Sequence, residues 1–82
     1  MLFGGCQMPD LKNEIEEARK AISKNLKRLR KEKSLAQEKL ALEAGVDRTV
    51  VSKIEREVAN PSLEILIRLA VALDVKVSVL LS

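Results

Sequence analysis

Two residues, Gly45 and Val46, are all that separate a segment that reads as a short helix, residues 37–44, from another that opens at Asp47. Gly45 suits the left-handed backbone that ends a helix, and Asp47 is a favoured N-cap, so both sides of the link are punctuated. A connection this short makes the two helices meet at a steep angle. In the first, Leu40, Ala41 and Ala44 form the apolar side; in the second, Val51, Ile54 and Val58 recur on one stripe at spacings of three and four. The rest of the chain must supply a core for that corner.

It does so with further helices. Asp10 is the expected N-cap of the first, with Glu14, Glu16 and Glu17 near its positive end. Leu11, Ile15, Ala18, Ile22, Leu26 and Leu29 then come at spacings of 4, 3, 4, 4 and 3, which predicts one long amphipathic helix over residues 10–32. "ANPS" at 59–62 breaks the chain: Pro61 keeps Asn60 out of the helical region and Ser62 can cap the next helix. Residues 63–73, "LEILIRLAVAL", are apolar nearly all round, so the sequence predicts that this helix is the most buried. The end stays open between two readings. Val75, Val77, Val79 and Leu81 alternate as in a strand, whereas Val77, Leu80 and Leu81 suit one helical turn. The expected organisation is a flexible tail over residues 1–9, with Met8 as an alternative start, and a single all-α domain of four to five helices over 10–82.

Composition removes whole classes of function. Eighty-two residues bury only about 60 to 65% of the surface that the unfolded chain exposes, which leaves no room for a deep substrate cavity. With no His and a single Cys, imidazole catalysis, His-containing metal sites and internal disulfides are excluded, and no paired carboxylates, nucleophile–base pair or phosphate-cradling glycine loop appears. The chain therefore reads as no enzyme, with no cofactor and no metal. No apolar run has the length of a membrane span, and the free thiol fits a cytoplasmic protein. A net charge of +3 is mild, so its distribution matters more than its total. What needs explaining is the side of the second corner helix that the apolar stripe leaves uncovered: Arg48, Thr49, Val50, Ser52, Lys53 and Arg56.

The order of landmarks answers it. Arg30, Gln37, Leu40-Ala41, Gly45-Val46, Ser52, Ile54-Glu55 and Pro61-Ser62, followed by a Leu-rich helix, resemble over residues 22–81 the XRE family of helix-turn-helix regulators, which includes the phage lambda and 434 repressors and the Cro proteins. The resemblance implies a lambda-repressor-like domain with helices 2 and 3 as the helix-turn-helix. It also implies binding to double-stranded operator DNA as a homodimer, with helix 3 in the major groove. Within that frame Arg48 can reach guanine O6 and N7 or a phosphate, Thr49 a base or a phosphate, and Lys53 a base edge or a phosphate. Val50 lies about 100° from Val51 and off the core stripe, so its methyls can meet a thymine methyl unless a neighbour covers them. Gln37, at the first turn of helix 2, can donate to a phosphate oxygen, the alternative being a solvated side chain. The resemblance further implies that Arg30 and Glu55 pair with each other as scaffold. Cations of "KNLKRLRKEK" either flank the phosphates or form a solvated face.

Three positions depart from the family pattern. Ala36 replaces a common capping Ser or Thr, while Glu57 and Asp74 stand where glycine is frequent after helices 3 and 4, which puts left-handed turns there in question. Within the resemblance, "GVDRTVVSKIER" with "NPSLE" looks like the controllers of restriction–modification systems or compact phage repressors, and the alternating tail like an antitoxin whose partner is a toxin. A module that has lost DNA binding is the rival from another class.

Overall fold

The computed structural model describes residues 7–82, with side chains from residue 10 onward. Five helices succeed one another, with no strand among the described residues: α1 (Gln7–Glu32), α2 (Gln37–Ala44), α3 (Arg48–Glu55), α4 (Leu63–Ala72) and α5 (Val77–Leu81). The arrangement is all-α. α1 starts at Gln7, so Asp10 lies in the first turn instead of capping it, where its charge still favours the positive end of the helix. The remainder of the expected tail, with Cys6 and its thiol, lies outside the described residues.

Capping chemistry sets most boundaries. Asp47 accepts from the backbone N–H of Thr49 at the start of α3, and Ser62 Oγ accepts from Ile65 N–H at the start of α4. Ala36 gives α2 no side-chain cap. All four longer helices end in the same left-handed turn, at Ser34, Gly45, Glu57 and Asp74, with φ of 57, 71, 66 and 60°. In each, the next residue donates back to the carbonyl five positions earlier: Leu35 to Arg30, Val46 to Ala41, Val58 to Lys53 and Val75 to Ala70. The turns questioned at Glu57 and Asp74 therefore form without glycine. Because α3 ends at Glu55, Val58 falls outside it and is exposed, so it does not extend the buried stripe of Val51 and Ile54.

Every helix sends apolar side chains into one core, in which Leu26, Leu40, Val51, Leu69, Leu73 and Leu80 are fully buried. α2 packs on α3 and α4, and α1 packs on α3 and α5. The open choice at the C-terminus resolves as a helix: the turn at Asp74 directs the chain back towards α1, where Asn25 Nδ2 donates to the carbonyls of Leu80 and Ser82 at 3.0 and 3.2 Å. No second strand is present among the described residues to pair with an extended 75–81.

Two expectations about burial change. α4 is not the most buried helix, because Leu66, Leu69, Ala70 and Leu73 face the core while Leu63, Ile67 and Val71, four apart, stand 42 to 71% exposed. The first half of the α1 stripe is uncovered too: Leu11 and Ile15 are exposed, and burial begins at Ile22. The reason is length, since no other described helix packs alongside those turns.

Candidate functional site

The outward side of α3 is set by its inward one. Val51 and Ile54 are buried in the core, which fixes the rotation of the helix and leaves Arg48, Thr49 and Lys53 exposed on the outside. Ser52 is half-buried. Val50 is half-buried as well and packs against the core, so part of its apolar surface is satisfied within the chain. Asp47 closes the start of this face: one of its carboxylate oxygens accepts from Thr49 N–H at 3.0 Å and from Thr49 Oγ1 at 2.9 Å. The backbone bond from Thr49 first, then the hydroxyl bond, with Arg48 and Lys53 nearby, hold the Asp47 carboxyl below the usual carboxylate range.

Behind α3 lies a polar knot. Arg30 Nε donates to Glu55 Oε2 at 2.7 Å and Nη2 to Oε1 at 3.0 Å, a bidentate pair whose side chains are 12 and 5% exposed. The third guanidinium nitrogen donates to the carbonyl of Leu35 at 2.7 Å. Burial pushes the Glu55 carboxyl up, but the hydrogen bonds from Arg30 and Gln37, with the charges of Arg30 and Lys27, outweigh it and hold the group below its ordinary value. Gln37 thus belongs to this knot, its Nε2 donating to Glu55 Oε1 at 2.9 Å. An amide nitrogen carries two hydrogens, so one remains for another acceptor. The knot ties the end of α1 to the start of α2 and the end of α3.

Sequence reading missed Ser23 and Asn25. Ser23 Oγ donates to the carbonyl of Glu55 at 2.7 Å and is almost wholly buried, and Asn25 holds the C-terminus to α1. A signal existed for Asn25, which sits three residues after Ile22 and four before Leu29, on the apolar stripe itself. Ser23 carried no such mark. Of the basic run, Arg28 is turned to Glu32 at 3.4 Å and Lys24, Lys31 and Lys33 are exposed.

The site can offer charged donors, the hydroxyls of Thr49 and Ser52 and a half-covered valine to a surface that a helix can enter. Among the described residues no helix is long and apolar enough to cross a membrane.

Comparison with known proteins gives a consistent picture. A family model described as helix-turn-helix, HTH_3, matches residues 26–80. The transcriptional regulator SinR of Bacillus subtilis is 41% identical over 61 residues, which cover 73% of this chain and 55% of that protein. The chain therefore spans about half the length of that relative. The control protein C.SmaI of Serratia marcescens is 35% identical over 75 residues, 92% of this chain and 89% of that protein. Among solved structures, SinR, described as the master regulator for biofilm formation, in complex with DNA superposes with a TM-score of 0.72 at 40% identity, covering 74% of this chain and 98% of that one.

Proposed function

This chain belongs to the HTH_3 helix-turn-helix family, and on that premise we propose that it is a sequence-specific DNA-binding transcriptional regulator that occupies operator DNA as a homodimer, with α3 of each protomer in the major groove. The observation that carries this reading is the outer face of α3. Its exposed residues Arg48, Thr49 and Lys53 are those a groove can use, while its inner face is locked to the core by Val51 and Ile54. The solved DNA complex of a relative with the same fold supports it.

In this reading Arg48 and Lys53 contact guanine edges or phosphates, Thr49 a base edge, and Ser52 a phosphate. Val50 presents to a thymine methyl only the part of its side chain that the core leaves free. Gln37 donates its second amide hydrogen to a phosphate at the groove edge while Glu55 holds the first, which makes it a positioning contact without base preference. Arg30 and Glu55 are scaffold.

One module touches too few base pairs for strong selectivity, so a two-fold pair on half-sites about one helical turn apart is the natural arrangement. The exposed Leu63, Ile67 and Val71 of α4 supply an apolar stripe for such a partner. Regulation is then by occupancy, the dimer blocking or recruiting polymerase. Between controller and antitoxin, the helical C-terminus favours the controller, as does likeness to C.SmaI along most of both chains. The strand that would favour a toxin-binding antitoxin is absent among the described residues.

The test is selection from a random duplex DNA pool at moderate salt, with the Arg48→Ala, Lys53→Ala double variant in parallel. A palindromic motif enriched by the wild type and lost in the variant is the expected result. Equal recovery of all sequences by both proteins would refute the reading.

A further inference from the structure

Thr49 carries one hydroxyl hydrogen, and its surroundings decide where that hydrogen goes. Its Oγ1 lies 2.9 Å from Asp47 Oδ1, and its backbone N–H reaches the same oxygen at 3.0 Å. The Asp47 carboxyl is exposed and held below the usual carboxylate range, by the bond from the Thr49 backbone first, so at neutral pH it is ionised and has no hydrogen to give. In that contact the threonine hydroxyl must be the donor.

We propose that Asp47 is a positioning residue for DNA reading, committing Thr49 to meet the groove as a hydrogen-bond acceptor, so that each half-site has one position selecting a base with an amino group, adenine or cytosine. The proposal rests on the reading of α3 as the DNA-reading helix. Both donors of Thr49, its N–H and its O–H, are taken by one carboxylate oxygen. Of this exposed side chain, the lone pairs of Oγ1 and a methyl group are then what remains for a groove to meet. In the major groove the amino donors are adenine N6 and cytosine N4, whereas guanine O6 and N7 and thymine O4 are acceptors. Phosphate oxygens are acceptors too, so the same constraint turns Thr49 away from the backbone role that a freely rotating hydroxyl could fill. Arg48 and Lys53, both exposed and both donors only, then answer the acceptor positions beside it.

A residue that merely caps α3 would change stability and leave base preference alone, and that difference makes the idea testable. Asp47→Gly removes the acceptor while keeping a residue tolerated at an N-cap, with little loss of helix stability. Thr49→Val keeps the side-chain shape and removes the hydroxyl. Wild type and both variants, checked for folding by circular dichroism, are taken through the random-pool selection. Binding is then measured on the selected half-site with each of the four bases at the position whose preference Thr49→Val alters. The wild type should favour adenine or cytosine there by roughly three- to tenfold, the worth of one net hydrogen bond. Thr49→Val should erase that preference. Asp47→Gly should bring guanine or thymine to within about twofold while the rest of the motif is unchanged, about half a hydrogen bond's worth or less. An unaltered preference in Asp47→Gly, a wild-type preference for guanine or thymine at that position, or uniform weakening by Thr49→Val would overturn the proposal. If the wild type enriched no motif at all, the reading of α3 itself would fall and this inference with it.

Discussion

Glu55 is the residue on which the polar knot behind α3 converges. It takes two bonds from Arg30 and one from Gln37 on its carboxylate, and one from Ser23 on its carbonyl. A carboxylate this buried is tolerable because its acceptor sites are filled, so removing one partner is costly. Arg30→Ala should destabilise the fold by about 3 kcal/mol, the lower end for a broken buried pair, since Gln37 still donates to the stranded carboxylate. Chemical denaturation at pH 7 measures it. The sign of the pH dependence is set by Glu55 being held below its ordinary value when folded. In the acid range the unfolded chain then binds the proton more readily, so the stabilisation is complete above the ordinary carboxylate pKa of about 4.3 and is lost as pH falls through that value towards the folded one. Glu55→Gln should flatten that part of a melting-temperature profile between pH 6 and pH 3. A profile as steep as that of the wild type would assign the acid sensitivity to other carboxylates.

At the scale of elements, the turns are more uniform than their residues. Four helices stop at a left-handed residue followed by an apolar one, Leu35, Val46, Val58 or Val75, yet only the second stop uses glycine. A side chain with Cβ costs roughly 1 kcal/mol in that backbone region, and the hydrogen bonds with their apolar follower evidently outweigh it. Glu57 is exposed, so Glu57→Gly should stabilise the chain by up to about 1 kcal/mol, read as a rise of a few degrees in Tm. Gly45→Ala should do the reverse by a similar amount, both from the backbone and because an added Cβ would stand 3.2 Å from Arg68 Nη1.

For the whole molecule the telling feature is apolar surface left uncovered. On α4, Leu63, Ile67 and Val71 repeat every four residues on the side away from the core. In the proposed homodimer this stripe is the contact between protomers, and a charge placed in its middle would be buried unpaired. Ile67→Lys should therefore keep its helical spectrum, sediment as a monomer where the wild type is a dimer, and lose operator binding. The dimer should weaken a hundredfold or more, which corresponds to about 3 kcal/mol. A dimer of unchanged strength would move the interface elsewhere, with the exposed Leu11 and Ile15 of α1 as the next surface to alter.

Local physical chemistry made much of this protein legible in its sequence. The short link between α2 and α3 came from Gly45 and Val46; the starts of α3 and α4 from Asp47 and Ser62; and the rotation of α3 from the spacing of Val51 and Ile54. Such features depend on neighbours along the chain, so the sequence by itself determined them. The tertiary structure decided what depends on residues far apart in it. Residues 75–81 alternate well enough for a strand, and Val77–Leu81 are helical because Asn25 and the core are there to receive them. α4 reads as the most buried helix, but a core of this size has room for only one of its sides. Gln37 reads as a free donor, and half of its amide belongs to Glu55, eighteen positions away. Periodicity tells which side of a helix is apolar, and only packing tells how many apolar sides there are helices to cover.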